Sequence, residues 1–360
     1  MKKLIIAREN VDDSHLPSNL HPVIKQIYAN RNVFNAEELN NSVATLHDFK
    51  LFKDIDKASD LLIEALKAQS QILIVGDFDA DGATSTATLM QGLEMFGFKH
   101  LDYLIPDRFS LGYGLSPALA EQIVQIKPDL VITVDNGISC IAGIDILKAV
   151  GIKVLVTDHH LQGEQLPNAD AIVNPNRHEC DFPSKSIAGV GVAFYLLIAL
   201  RSVMRDLGYF EQQPPPNLAN LLDIVALGTV ADVVALDANN RTLVHQGLAR
   251  IRSGKTRPGI TANAAGRLDD MSLGIACLLS TDINQARSIA GELDSLNFAR
   301  REIEQGMQFE AQAVLDRLAF SDDNIPDAIC LFQDDWHQGV IGILAGRLKE
   351  KYHRPTVIFA

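Results

Sequence analysis

The sequence predicts a parallel α/β sheet with helices on both faces, followed by a long helical connector and the beginning of a second α/β unit. Short apolar runs rich in valine and isoleucine alternate with helical patterns up to residue 173, which is typical of a parallel sheet. Residues 284–318 are polar, charged and helix-favouring. Strand character resumes at Ala328, so a second sheet is expected there.

Strands and helices are predicted to alternate through the first unit. The strands are short apolar runs at 72–76, 101–105, 130–134, 153–157 and 171–173. The helices between them are expected over 82–95, 116–126 and 141–150. Ser116 and Pro117 indicate the start of the second of these helices, because serine caps helices and proline is favoured at the first helical position.

The pattern becomes helical after Gly189. The predicted helices are 190–206 and 218–236, separated by the prolines at 214–216, which neither helix can contain. Residues 284–318 are expected to form a connector helix, with a helical hairpin at the domain edge as the alternative. In the second unit, a strand from Ala328 is followed by a glycine-rich helix start at 339–342 and a strand at 356–359.

Length and composition favour an ordinary globular chain of two domains. A length of 360 residues suits two domains, and we expect a main domain at 1–255 with a peripheral N-terminal part, a helical connector at 256–325 and the start of a second domain at 326–360. Neither a membrane span nor a signal peptide is expected, so the predicted location is the cytoplasm. The four cysteines are scattered, which argues against a disulfide framework or a zinc ribbon.

The distribution of charge leaves the class of partner open. The net charge of −13 argues mildly against nucleic acid. However, residues 241–257 contain five basic residues and no acidic one. This segment is compatible both with a nucleic-acid channel and with a solvated helical face.

Acidic and imidazole side chains follow three of the predicted strands. They are Asp77, Asp79 and Asp81 after the first, Asp135 after the third, and Asp158, His159 and His160 after the fourth. The carboxyl ends of parallel strands meet at one edge, where so many carboxylates would repel one another without a cation. Oxygen ligands with one or two histidines favour Mn²⁺ or Mg²⁺. A calcium loop is the alternative for residues 77–88, but Thr88 stands where its glutamate should be.

These motifs resemble the DHH phosphoesterase superfamily, which is named after a triplet that here is Asp158-His159-His160. They are most similar to its bacterial single-strand-specific exonucleases. The matching stretches are 75–84, 106–115, 131–138, 156–160, 186–191, 226–232, 263–267 and 336–342. The resemblance therefore extends from about residue 50 to the end of the chain.

The resemblance implies a site with two Mn²⁺ or Mg²⁺ ions. By this resemblance the metal ligands are Asp79, Asp81, Asp135, His159 and Asp232, with Asp77 as a further ligand or a group behind the ligands. Asp135 would bridge both ions, His160 would face the scissile phosphate, and Asp158 would orient a histidine ring. Asp232 comes from the resemblance alone, because an aspartate at a helix end is otherwise read as a cap.

Candidate DNA- or phosphate-binding residues follow from the same resemblance. They are Arg108, Tyr113, Arg267, Gly339 and Arg347, with Gly342 opening the same helix as Gly339. Arg108 could equally form a surface salt bridge, Tyr113 could pack its own loop, and Gly339 could be only a helix start. Gly339 and Arg347 open what is similar to the DHHA1 substrate domain of the family.

The resemblance implies a 5′→3′ exonuclease that degrades single-stranded DNA to mononucleotides by two-metal hydrolysis, in DNA repair and recombination. It also implies a monomer that works with a single-strand-binding protein and a RecQ-type helicase. The alternatives are another DHH phosphoesterase, acting on pyrophosphate, oligoribonucleotides or cyclic dinucleotides, and a non-catalytic replication scaffold. Two departures bear on this: the family has a longer segment where only Thr261 and Ala262 separate Ile260 from Asn263, and its later Gly-Gly-His element does not occur here.

Overall fold

The computed structural model describes residues 9–106, 112–254, 256, 258–261, 271–317 and 326–360. Its helices are α1 (Pro22–Ala29), α2 (Ile55–Ala68), α3 (Ala80–Met95), α4 (Pro117–Ile126), α5 (Ile141–Ala149), α6 (Gly189–Asp206), α7 (Leu222–Ala231), α8 (Ala238–Arg252), α9 (Pro258–Thr261), α10 (Met271–Leu279), α11 (Ile283–Arg317) and α12 (Gln338–Tyr352). Its strands are β1 (Ile72–Val75), β2 (Leu101–Leu104), β3 (Leu130–Val134), β4 (Lys153–Thr157), β5 (Ala171–Val173), β6 (Ile329–Phe332) and β7 (Thr356–Phe359). Short 3₁₀ helices lie at Ala36–Leu39, Val43–Thr45, Phe49–Leu51 and Leu218–Leu221.

The first sheet has five parallel strands in the order β2-β1-β3-β4-β5. The chain moves from β1 to β2 in one direction and from β3 to β5 in the other, so the winding reverses between β1 and β3. In open parallel sheets, ligands bind at the carboxyl ends of the strands beside such a reversal. The predicted α/β class is confirmed, and the predicted bounds of β3, β4 and β5 agree with the structure.

Both faces of this sheet are covered, because alternate side chains along each strand point to opposite sides. One face of the strands packs with α2, α3 and α6 through residues such as Ile74, Ile132 and Leu89. The other face packs with α4 and α5 through residues such as Val131 and Val154. Continuous apolar runs in the strands are what this two-sided burial requires.

Helix α7 ends earlier than the sequence predicts. The predicted helix over 218–236 begins as a 3₁₀ turn and stops at Ala231, because Val233 adopts a left-handed conformation with φ of 61°. The helix lies close against α3: a Cβ placed on Gly228 would come within 2.1 Å of Thr84 Oγ1. This close approach places the end of α7, with Asp232 as its C-cap, beside the start of α3.

Helix α11 covers nearly all of residues 284–318 as one continuous helix, not a hairpin. At its N-terminal end α11 packs through Ala290 and Leu293 against α10, and α10 in turn packs on α3 through Met271 and Ile275. The C-terminal part of α11 joins the core of β6, α12 and β7. None of the helices in the described ranges is both long and apolar enough to cross a membrane.

Candidate metal centre

The first part of the site is the turn from β1 into α3. Asp79 caps α3, its Oδ1 accepting a hydrogen bond from Gly82 N at 2.9 Å, while its side chain remains accessible. Asp77 is buried and accepts a bond from Phe78 N at 2.8 Å. Asp81 lies in the first turn of α3 and is almost completely buried. Asp77 and Asp79 precede the helix and Asp81 lies in its first turn, so the three carboxylates meet where β1 passes into α3.

The N-terminus of α6 holds the carboxylate of Asp81. Gly189 N donates to its Oδ2 at 2.6 Å and Val190 N donates to its Oδ1 at 2.9 Å. The positive end of the helix dipole therefore offsets part of the cost of burying this charge. Gly189 also approaches Asp135 so closely that an added Cβ would lie 2.9 Å from Asp135 Oδ1, which explains why glycine begins this helix.

Asp135 follows β3 in a left-handed conformation with φ of 60°, which aspartate tolerates better than most residues. The next residue, Asn136, fixes this turn, because its Nδ2 donates to Val75 O at 3.1 Å and to Val134 O at 2.8 Å. The turn thereby bridges the ends of β1 and β3, where the winding of the sheet reverses.

Asp158 organises the triplet at the end of β4. Its Oδ1 accepts bonds from His159 N at 2.7 Å and His160 N at 3.0 Å, and it lies 2.7 Å from His160 Nδ1. Its Oδ2 accepts a bond from Ile138 N at 2.9 Å. The predicted orienting role of Asp158 therefore has a geometric basis, and the ring that it holds is that of His160.

His159 lies at the centre of the cluster. Its Nε2 is 3.0 Å from Asp135 Oδ1, 3.7 Å from Asp232 Oδ2 and 3.8 Å from Asp81 Oδ2. Three overlapping sets of groups in the described residues could hold an ion. These sets are Asp81 with His159 and Asp232, Asp77 with Asp79 and Asp135, and Asp135 with His159 and His160. The structure thus brings together all six predicted ligands.

Burial dominates the electrostatics of these acids. It raises the pKa of Asp77 to about 6 and raises the pKa values of Asp81, Asp135 and Asp232, with neighbouring carboxylates adding to the effect. Burial lowers the pKa of His159, which favours its neutral ring. Asp158 differs: burial acts to raise its pKa, but the bonds from His160 and Ile138 outweigh this and lower it. Its carboxylate in turn raises the pKa of His160.

These groups fit a divalent cation. Asp135 Oδ1 and Asp232 Oδ2 are buried, and within the described part of the chain neither accepts a hydrogen bond. Three carboxylate oxygens thus lie 3.0–3.8 Å from one imidazole nitrogen, as potential ligand atoms do around a metal ion. Several carboxylates with histidine are the ligands that Mn²⁺ and Mg²⁺ accept.

The predicted DNA-binding residues are only partly described. Tyr113 lies at the site, its hydroxyl 3.4 Å from His160 Nε2 and its ring edge-on to the imidazole. Arg108 and Arg267 lie outside the described residues. Arg347 is exposed on α12 and forms an ion pair with the buried Glu304 of α11. Gly339 lies in the first turn of α12, where its N–H donates to the capping His337 ring at 3.1 Å.

The basic segment at 241–257 is less available than its sequence indicates. Arg241 forms an ion pair with Glu38 at 3.1 Å, and Arg250 donates to Asn220 at 2.9 Å. Arg252 is exposed at the end of α8. Lys255 and Arg257 lie outside the described residues.

Two features of the site were missed by the sequence analysis. The first is the pair of backbone N–H groups at Gly189 and Val190, for which the Ala-Gly-Val-Gly helix start is the signal. The second is the Asn174-Pro175-Asn176 segment after β5, whose side chains bond to the histidine backbone. Its signal was its place at the same edge of the sheet as the acids.

Comparisons with known proteins show which family the chain resembles. Residues 71–229 match the model of the DHH family, N-terminal domain. The chain is 50% identical over 380 residues to the single-stranded-DNA-specific exonuclease RecJ of Salmonella typhimurium, covering 98% of this chain and 66% of that protein. It therefore spans about two thirds of the length of that curated relative.

Solved structures give the same result. The crystal structure of an exonuclease RecJ bound to manganese has a TM-score of 0.73 at 34% identity, covering 86% of this chain and 80% of that one. RecJ from Thermus thermophilus in complex with Mg²⁺ has a TM-score of 0.66 at 30% identity, covering 92% of this chain and 46% of that one.

Proposed function

This chain belongs to the RecJ family, and from that membership and the metal centre we propose that it is a 5′→3′ exonuclease of single-stranded DNA. It would release mononucleotides with two Mn²⁺ or Mg²⁺ ions as cofactors, in DNA repair and recombination. The relatives are named as single-stranded-DNA-specific exonucleases, and family structures hold Mn²⁺ or Mg²⁺.

One observation supports this proposal more than any other. Oxygens of Asp81, Asp135 and Asp232 surround His159 Nε2 at 3.0–3.8 Å, although the groups come from the start of α3 and from just beyond the ends of β3, β4 and α7. Three carboxylates that meet at one point repel one another, which costs stability. Such convergence from four separate elements is expected of a functional site and not of a structural one.

We assign the ligands to two positions. Asp81, His159 and Asp232 would hold one ion, Asp77 and Asp79 the other, and Asp135 both, because it is common to neighbouring sets. The ions supply a Lewis acid for the phosphate and activate the attacking water when bound. The chain keeps the ligands in place through the α6 N-terminus at Asp81 and the turn that holds Asp135.

His160 is assigned to the scissile phosphate. Its ring is half-exposed and is held by Asp158, whose carboxylate favours the protonated imidazolium. A charged ring in this position would bind a non-bridging phosphate oxygen and stabilise the charge that develops there. Tyr113 lies beside this ring with half its surface exposed, so a terminal base could stack on it.

The remaining assignments rest on family resemblance. We propose that residues 1–255 form the DHH domain, residues 256–325 the connector and residues 326–360 the start of the DHHA1 domain. In this division α9 and α10 belong to the connector, although they pack near or on the first unit. Arg108, Arg267, Gly339 and Arg347 are proposed DNA contacts. Arg347 would have to leave Glu304 or bind DNA while paired with it. A cytoplasmic monomer that meets a single-strand-binding protein and a RecQ-type helicase completes the proposal.

The test uses full-length protein with Mn²⁺ and DNA labelled at either end. Single strands should be shortened from the 5′ end to mononucleotides, and duplexes should remain. Asp81→Asn should abolish the reaction, whereas Asp102→Asn, on the exposed side of β2, should not. Attack from the 3′ end, equal digestion of duplex, preference for short oligoribonucleotides, or binding without cleavage would each contradict the proposal.

A further inference from the structure

The segment 174–176, directly after β5, is hydrogen-bonded to the backbone of His159 and His160. Asn176 Nδ2 donates to His159 O at 2.6 Å and to Lys185 O at 3.0 Å. Asn174 Nδ2 donates to His160 O at 3.0 Å. Two consecutive carbonyls, one from a proposed metal ligand and one from the proposed phosphate-binding residue, thus each accept a bond from a side-chain amide.

This segment is itself held firmly. Asn174 is fully buried, and its Oδ1 accepts a bond from Asn176 N at 2.7 Å, which orients the first amide and closes the turn. Lys185 Nζ donates to Pro175 O at 2.6 Å and to Cys180 O at 2.8 Å. Arg177 bonds to Ile172 O at 3.1 Å and forms an ion pair with Asp54, at the start of α2. The segment that carries the two asparagines is therefore itself anchored by hydrogen bonds and an ion pair.

The N–H groups of both histidines are fixed by Asp158, whose Oδ1 accepts a hydrogen bond from each of them. The two asparagines complete this arrangement by binding the carbonyls. The position of His159 Nε2 depends on the backbone from which the ring projects, because a histidine side chain has only two rotatable torsions. Metal ligands need to be held to within about 0.5 Å for productive geometry.

We propose that Asn174 and Asn176 are positioning residues of the metal centre, fixing the backbone of His159 and His160 through their carbonyls. The inference rests on the proposed metal site and adds to it a third supporting element, the edge strand β5. Neither asparagine touches substrate or metal in this assignment. Their effect passes through the histidines, so metal affinity should respond more than overall stability.

The competing explanation is that the asparagines only stabilise the turn after β5. A matched pair of variants separates the two. Asn176→Leu removes both donor bonds without changing charge or much volume. Gln91→Met is its control, because Gln91 is buried on α3 and its Nε2 donates to Leu278 O at 3.1 Å, a carbonyl outside the site. Asn176→Ala serves where the leucine variant does not fold.

Mn²⁺ affinity of full-length protein is measured by calorimetry, beside the thermal midpoint, kcat and KM. We expect Asn176→Leu or Asn176→Ala to weaken Mn²⁺ binding about 10–100-fold, as for other groups that orient metal ligands, and to lower kcat with little change in KM. Gln91→Met should lower the midpoint without changing Mn²⁺ affinity. Equal Mn²⁺ affinities in the Asn176 variants, the control and the wild type would overturn the inference.

This measurement remains separate from the proposed nuclease activity. Mn²⁺ affinity is determined without DNA, so it can be compared even where the wild type cleaves nothing. A wild type that binds Mn²⁺ but leaves DNA intact contradicts the proposed function alone. A wild type that cleaves single strands while the Asn176 variants retain full Mn²⁺ affinity contradicts only the positioning role.

Discussion

Acidic side chains have different partners at the two ends of the strands of the main sheet. At the edge where the strands begin, acids have partners: Glu64 pairs with Lys153 at 2.8 Å, and Asp170 pairs with Lys148 at 2.7 Å. Asp129 there accepts a bond from Gln71 N at 2.7 Å. At the edge where the strands end, the ion-pair contacts of Asp81, Asp135 and Asp232 in the described residues are all with His159.

The acids where the strands begin are stabilised by the protein itself. The acids where the strands end need a bound ligand to stabilise them. Partnered surface acids contribute little each, but nothing has to be added to them. Buried carboxylates without a cationic partner cost stability, and so do oxygens without a donor, such as Asp135 Oδ1 and Asp232 Oδ2. The fold tolerates this cost because its large cores stabilise it elsewhere. A divalent cation would turn the repulsion among these carboxylates into attraction. At the carboxyl edge, where the strands end, bound metal should therefore supply the positive charge that Lys148 and Lys153 supply at the amino edge, where the strands begin.

Asp135→Asn should have the largest effect. The substitution removes the carboxylate that we assign to both ions, so activity with Mn²⁺ should fall on the order of 10³-fold, equivalent to several kcal/mol of transition-state stabilisation. Metal-free protein should become more stable, because one buried negative charge is gone from a cluster of acids. Thermal denaturation in chelator measures the second effect and a single-strand digestion assay the first.

The control is Asp129→Asn at the amino edge, which removes a charge of the same kind. It should leave activity unchanged and should not raise the midpoint of the metal-free protein. An increase in stability for both variants would mean that net charge, and not the cluster, causes it.

Mn²⁺ itself should stabilise the wild type. Binding to the folded state alone contributes about 2.7 kcal/mol when the free ion is at 100 times its dissociation constant. Thermal midpoints with and without Mn²⁺ measure this gain, and Asp135→Asn should lose most of it. A gain of the same size in Asp135→Asn would locate the binding elsewhere in the chain.

The strand-end acids could be predicted from sequence because their signal is local. Apolar runs ending in Asp77, Asp135 or Asp158 give both the strand and the edge at which it ends. Asp232 has no such signal, since its place depends on α7 lying against α3 at Gly228, which is a contact across more than a hundred residues of chain. Only family resemblance supplied it.

Other features depended on backbone conformations that a residue pattern does not specify. The overextended helix prediction at 218–236 failed because apolar residues continue through Val233, whereas the backbone turns left-handed there. No role was assigned to Asn174 and Asn176 from the sequence. Their role becomes visible only when β5 pairs with β4 and brings their amides to the histidine carbonyls.

Asp158→Asn should have an intermediate effect, because Asp158 lies where the strands end but its carboxylate is held by the His159, His160 and Ile138 N–H groups and by the His160 ring. An amide can still accept bonds from one side but no longer favours a charged His160 ring. We expect activity to fall about 10–100-fold with Mn²⁺ affinity changing less than in Asp135→Asn. Parallel digestion and calorimetry would check this, and a loss of metal binding as large as that of Asp135→Asn would make Asp158 part of the ligand set.

Asp170→Ala should have the smallest effect and should change only stability. Besides its pair with Lys148, Asp170 Oδ2 accepts a bond from Val154 N at 2.7 Å, near the start of β4. Losing these contacts at a partly exposed position should cost about 1 kcal/mol of unfolding free energy. Urea denaturation measures this cost, and kcat and Mn²⁺ affinity should equal those of the wild type. A fall in Mn²⁺ affinity would mean that strand β4 transmits a change from one edge of the sheet to the histidines at the other, and the two edges would then not be independent.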